Sequence, residues 1–173
     1  MATESEREKV FADFESDVIE RMSEVSGPVD ETSFSLVFSV VRLANRLVAD
    51  LESHVHSEAG WSWAGFRIML ATMVYGELEP REISRLADVS RASVSSVLNT
   101  LERDGLVVRL RESEDRRLVT VRLTELGKQK ISKAFSAHNE RERQWVSCLS
   151  PAEREQFTRL ARLVLDCSPA DRS

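Results

Sequence analysis

Arg91, Ser93, Ser95, Ser96, Asn99 and Thr100 alternate with Val94, Val97, Leu98 and Leu101 at helical spacing. A helix built this way turns one apolar side inward and presents hydrogen-bonding groups of little bulk on the other. A DNA major groove admits such a helix, and Arg, Asn, Ser and Thr are side chains that read base edges. The same residues also suit a Ser-rich helix that merely faces solvent, so the neighbouring segments have to decide. Other chemistry has little to work with. The chain shows no phosphate-cradling glycine loop, nucleophile elbow or His-Glu-x-x-His pattern, so neither an enzyme nor a bound cofactor is expected. His54 and His56 stand two apart on a presumed helix and diverge, and His138 lacks metal-ligand spacing, so no metal site is expected.

The elements around the polar helix place it. Pro80 opens a short helix whose apolar stripe is Ile83, Leu86 and Ala87; Ser90 caps the second helix, which runs to about Asp104, and Gly105 supplies its exit. Leu106 to Arg111 and Leu118 to Leu123 then read as two strands joined by a charged tip, Glu112 to Arg117. Burying Val107, Leu118 or Val119, and Val121 or Leu123 lays this hairpin against the helices and projects its tip beside the second one. Arginine suits the narrow, electronegative minor groove. The DNA-contact candidates are therefore Ser90, Arg91, Ser93, Ser95, Ser96, Asn99 and Thr100 on the helix and Arg111, Arg116 and Arg117 on the hairpin, with Asp115 bracing an arginine.

Taken together, Asp115-Arg116-Arg117, the strand end Val121-Arg122-Leu123-Thr124 with Gly127, and the join Leu101-Glu102-Arg103-Asp104-Gly105-Leu106-Val107 resemble the MarR family of bacterial winged-helix transcription regulators. The resemblance covers roughly residues 34 to 167. It implies a mainly α fold, a winged helix-turn-helix with long terminal dimerisation helices and a two-stranded wing. It also implies a homodimer on a pseudo-palindromic operator in double-stranded DNA, commonly a repressor released by a small phenolic or aromatic effector. The family's Asp-x-Arg pair falls on Asp115 and Arg117, and its recognition helix on Ser90 to Arg103. Family members usually bind effectors where the first long helix, the Trp61 to Tyr75 helix and the helix after Thr124 meet. The matching candidates are His54, Trp61, Trp63, Phe66, Arg67 and Met73, aromatic walls with one cation suited to an aromatic acid. Urate is an unattractive effector, because Arg67 stands where the urate-responsive members have an acid and Val97 where they have an arginine. The peroxide-sensing members use a cysteine near the N-terminus, whereas Cys148 and Cys167 lie late in the chain and are expected to be buried bystanders.

The expected organisation is an N-terminal helical extension over 1–29, a helical dimerisation region over 30–62 and 124–167, a winged helix-turn-helix over 63–123 and a flexible tail over 168–173. In the extension, Val10, Phe11, Phe14, Val18, Ile19 and Met22 give one apolar face. Further on, Phe34, Val37, Phe38, Val41, Ala44, Leu47, Val48, Leu51 and Val55 line a helix from about Asp30 to Ser57, enough for a core and a partner. Ser150-Pro151-Ala152-Glu153 supplies a cap, a first-position proline and a third-position acid for a last helix through Leu165. The net charge of -5 argues against indiscriminate DNA coating, yet between Arg81 and Arg122 nine basic residues face seven acidic ones. No apolar run approaches the roughly 18 residues of a membrane span, the first residues do not read as a signal peptide, and two cysteines suit a reducing cytoplasm. The alternative function is a winged helix that binds protein instead of an operator, which an acidic reading face would favour.

Overall fold

The computed structural model describes residues 4–111 and 119–167. Among the described residues, eight α-helices and two strands follow in the order α1 Glu4–Ser26, α2 Glu31–Leu51, α3 Ser57–Ala59, α4 Trp63–Tyr75, α5 Pro80–Ala87, α6 Arg91–Arg103, β1 Val107–Arg111, β2 Val119–Leu123, α7 Glu125–Trp145 and α8 Pro151–Asp166. Between α2 and α3 the helix widens into a π turn, Glu52–His56. The expected tip residues Asp115, Arg116 and Arg117 and the expected tail over 168–173 lie outside the described residues.

The chain divides into two units, Met1–Val48 and Ala49–Ser173. In the first, α1 meets α2 where the rings of Phe14 and Phe38 lie 6.1 Å apart and the Arg42 guanidinium sits 3.9 Å from the Phe11 ring centre, while Phe34 and Phe38 stack along α2 itself at 5.6 Å. The turn between them ends on Asp30, whose carboxylate accepts from the Ser33 amide and from the Thr32 and Ser33 hydroxyls. Those bonds hold its pKa at about 2 and satisfy donors that a helix start leaves open.

The second unit holds one core. Phe66, Ile68 and Met69 of α4, Ile83 and Ala87 of α5, Val94, Leu98 and Leu101 of α6, Val107, Val121 and Leu123 of the strands, and Ile131 and Ala134 of α7 are all buried. β1 and β2 pair antiparallel in the register Val107↔Leu123 to Arg111↔Val119. Leu78 adds a third, one-residue rung: its amide donates to the Val121 carbonyl at 3.0 Å, and the Val121 amide returns a bond of 2.8 Å. That rung fixes the hairpin to the segment leading into α5.

Several expectations need correction. Leu86 is 36% exposed, so the core stripe of α5 is Ile83 and Ala87 alone. Trp61 is buried but precedes α4, which starts at Trp63 under a Ser62 cap on the Gly65 amide. The long helix from Asp30 does not run unbroken to Ser57, because the π turn intervenes. Cys148 and Cys167 are both exposed instead of buried, since one sits in the turn after α7 and the other ends a helix with no buried residue.

Candidate nucleic-acid interface

The turn between α5 and α6 is three residues long, and its sharpness has identifiable causes. Pro80 occupies the first turn of α5, where a missing N–H costs nothing, and Glu79 and Glu82 cap each other's backbone. Asp88 ends α5 with φ 49, a left-handed conformation that Asp tolerates better than most residues. The Ser84 hydroxyl donates to the Val89 carbonyl at 2.7 Å, closing the corner, and Ser90 caps α6 by accepting from the Ser93 amide. Arg67 of α4 reaches over to Asp88 at 3.3 Å, so the cation expected to serve an effector is shared with this corner.

With Val94, Leu98 and Leu101 turned inward, α6 leaves Ser90, Arg91, Ser93, Ser95, Ser96, Asn99 and Thr100 all exposed. They form one continuous outer face, as the 3.6-residue period requires. At the far end Gly105 takes φ 68, and the Leu106 amide closes back onto the Leu101 carbonyl at 2.8 Å. Thr124 then ties the start of α7 to this exit: its amide donates to the Leu106 carbonyl at 3.0 Å, its hydroxyl to the Gly105 carbonyl at 2.8 Å, and it accepts from the Gly127 amide. Gly127 is needed for that approach, because a Cβ there would lie 2.1 Å from the Leu106 carbonyl oxygen. Helix α6, hairpin and α7 are thus clamped at one point.

Between α6 and the hairpin lies a cleft of about 680 Å³ lined by Arg81, Arg91, Ser95, Asn99, Glu102 and Arg109, among others. Arg109 spans it. One guanidinium nitrogen donates to the Asn99 amide oxygen at 2.7 Å and the other to the Glu102 carboxylate at 2.8 Å. Glu102, the acid nearest the centre of the reading face, is therefore charge-compensated. Arg109 was absent from the sequence candidates, although a signal existed: it shares the inward side of β1 with Val107, two residues away. The backbone of Arg111 ends β1 beside the undescribed tip.

The aromatic candidates pack on one another. His56 is fully buried and stacks on Phe66 at 4.5 Å, Trp63 at 5.4 Å and His138 at 5.3 Å between ring centres. Its Nε2 lies 3.2 Å from Nδ1 of His138, whose Nε2 lies 3.0 Å from the Glu142 carboxylate. A carboxylate only accepts, so His138 donates to it from Nε2, and Nδ1 of His56 is buried with no partner among the described residues. Burial, reinforced by His138, pulls the His56 pKa down to about 4. His54, the histidine singled out from sequence, is exposed and pairs with Asp50 at 3.2 Å, while Met73 is 45% exposed. Asp50 also accepts two bonds from Arg141 and one from the Trp145 indole at 2.7 Å, which hold its pKa at about 2 and pin the end of α2 to α7.

A short helix, a three-residue turn and a second helix with an open polar face, backed by a two-stranded hairpin, define the winged helix-turn-helix class of DNA-binding proteins. Residues 62–118 match the model of the MarR family. The uncharacterized HTH-type transcriptional regulator YwaE of Bacillus subtilis is 31% identical over 155 residues, spanning 88% of this chain and 90% of the relative. Among solved structures, BpsR of Bordetella bronchiseptica superposes with a TM-score of 0.70 at 22% identity over 75% of this chain and 98% of its own, and its DNA binding is regulated by 6-hydroxynicotinic acid. A mutant MarR from E. coli complexed with operator DNA also gives 0.70, at 19% identity over 83% of this chain and 97% of that one. The chain belongs to the MarR family and is a DNA-binding transcriptional regulator. No helix among the described residues is long and apolar enough to cross a membrane.

Proposed function

We propose that the chain acts in the cytoplasm as a homodimeric repressor of a pseudo-palindromic operator, released by a small aromatic acid. Each subunit inserts Ser90 to Thr100 into a major groove, and the 112–117 tips, with Arg111, Arg116 and Arg117, reach the flanking minor grooves. The observation that carries this reading is the exposed outer face of α6 with its cap, six short polar side chains and the Arg91 guanidinium. The protein-binding alternative needs an acidic reading face, and the one carboxylate of α6, Glu102, is engaged by Arg109.

Pairing is supported by α8, in which no residue is buried and Phe157, Leu160, Leu163, Val164 and Leu165 are exposed. Such an apolar stripe calls for a partner, and two-fold pairing sets two recognition helices about 34 Å apart, one turn of DNA. Release by an aromatic acid is supported by the fold shared with BpsR and by the ring cluster of Trp63, Phe66, His56 and His138. The ligand needs only a modest difference in affinity between two dimer geometries. Hydroxyl-radical footprinting on the DNA upstream of the gene tests the binding mode. Two protected patches roughly one helical turn apart support it, and a single patch contradicts the dimer. Calorimetry with a panel of aromatic acids tests the release, which fails if none binds or none lowers operator affinity.

A further inference from the structure

The geometry points to Arg109 as a specificity-determining positioning residue: by donating to the Asn99 amide oxygen it fixes the orientation of the amide and takes one of that oxygen's two lone pairs, which biases Asn99 towards donating and towards a base edge made of acceptors. The inference rests on the DNA-reading role of α6 proposed above.

A guanidinium has donors and no acceptor, so the Asn99 atom 2.7 Å from it must be the oxygen, and the amide nitrogen faces the other way. No hydrogen bond from that nitrogen to a described residue is present, and Asn99 lines the open cleft together with Ser95 and Arg91. The guanidinium is itself held in place by Glu102, one turn further along α6 at 2.8 Å, and by the β1 backbone paired with Val121. A free asparagine pairs with adenine through both its ends, accepting from N6 and donating to N7. With one lone pair of its oxygen taken and the amide turned by Arg109, Asn99 makes a weaker version of the accepting half of that contact, the half that distinguishes adenine. Guanine, which offers N7 and O6 as acceptors, becomes its preferred partner. The residue type on the helix thus reads differently because of a strand residue ten positions away in sequence.

The test starts from duplexes selected out of a randomised pool by the full-length protein. Asn99→Ala identifies the base pair that Asn99 reads, and guanine is expected there in the wild-type selection. Arg109→Met keeps the stem but removes the donors, freeing the amide oxygen. At that base pair the ratio of guanine to adenine affinity is expected to fall by about tenfold, the value of one good base contact, while ratios elsewhere stay put. Arg109→Lys, which keeps a donor in reach, is expected to retain the wild-type preference. Glu102→Ala, an exposed helix position that leaves the strand intact, is expected to shift the same ratio in the same direction by less, and it carries the test if Arg109→Met folds poorly. In the Asn99→Ala background the Arg109→Met change is expected to do nothing further to that ratio. Adenine at the Asn99-dependent position, or an unchanged ratio in both the Arg109→Met and Glu102→Ala proteins, overturns the inference alone. A uniform loss over all sequences with a shallower salt dependence makes Arg109 a phosphate contact and also overturns it. A selection that yields no preferred sequence overturns the DNA-reading role and the inference together.

Discussion

Acidifying the solution from about pH 7 to pH 4 should cost this fold roughly 3 kcal/mol through His56 alone. The folded protein keeps the ring neutral down to a pKa of about 4, against 6.5 in an open chain. Unfolding therefore takes up a proton over that window. A histidine whose folded pKa is depressed contributes stability that is fully present above about 6.5 and is lost as pH falls towards 4. The gap between about 4 and 6.5 sets the scale, most of it falling between pH 7 and 4, and the steepest slope approaches roughly 1.4 kcal/mol per pH unit. The groups facing the ring are His138 on α7, with Glu142 behind it, and Glu52 on the π turn, which opposes the shift. Asp30 and Asp50, held at about 2 from 3.8, act below this window. The assay is urea unfolding at fixed protein concentration across about pH 7 to 4.5, for wild type and for His56→Phe. Phenylalanine fits the ring slot between Phe66 and Trp63 but cannot titrate. It should lower stability at neutral pH, where His138 loses its hydrogen-bond partner, and flatten the acid slope. Parallel curves for the two proteins would refute the argument, because the pH dependence would then lie elsewhere.

Other outcomes follow from the same structure. Gly127→Ala should destabilise by about 2–3 kcal/mol, since its methyl meets the Leu106 carbonyl; a melting temperature within a degree or so of wild type would mean that α7 shifts freely. Asp50→Ala should cost about 2 kcal/mol by removing the Arg141 and Trp145 bonds, read by chemical unfolding, and an unchanged midpoint would show those bonds to be surface ornament. Asp88→Gly should stabilise by about 0.5–1 kcal/mol by relieving the left-handed backbone, and a loss instead would assign more weight to the Arg67 pair. Trimming residues 1 to 27 should lower dimer stability at dilute concentration, which a superimposable melting curve would contradict.

The reading helix was legible because its features are local. Pro80, Ser90, Gly105 and the 3.6-residue stripe each specify a start, a cap, an exit or a face within a few residues, and the structure places α6 at Arg91–Arg103 accordingly. The Ser150 and Glu153 capping box was equally readable. What escaped sequence was built from contacts between distant segments. His56 and His138 are 82 residues apart, and only the folded chain brings their rings together. One signal was available: His138 continues the Ile131 and Ala134 stripe of α7, a polar residue on a buried face that needs a partner. The π turn that carries His56 leaves no compositional mark. The cysteines are exposed because Cys148 lies in the turn after α7 and Cys167 ends α8, a helix with no buried residue, so a residue type that favours interiors marks no interior at either position.

The central claim is that the outer face of α6 reads DNA, and the most direct test is fluorescence anisotropy on the DNA upstream of the gene against a scrambled duplex at ~150 mM salt. Ser95→Glu is the companion protein, because Ser95 is exposed and a carboxylate there changes the face without touching the core. The account predicts tight, sequence-selective binding by the wild type and its loss in a Ser95→Glu protein that melts normally. Equal binding by the two proteins, or selective binding that survives the added carboxylate, would contradict it.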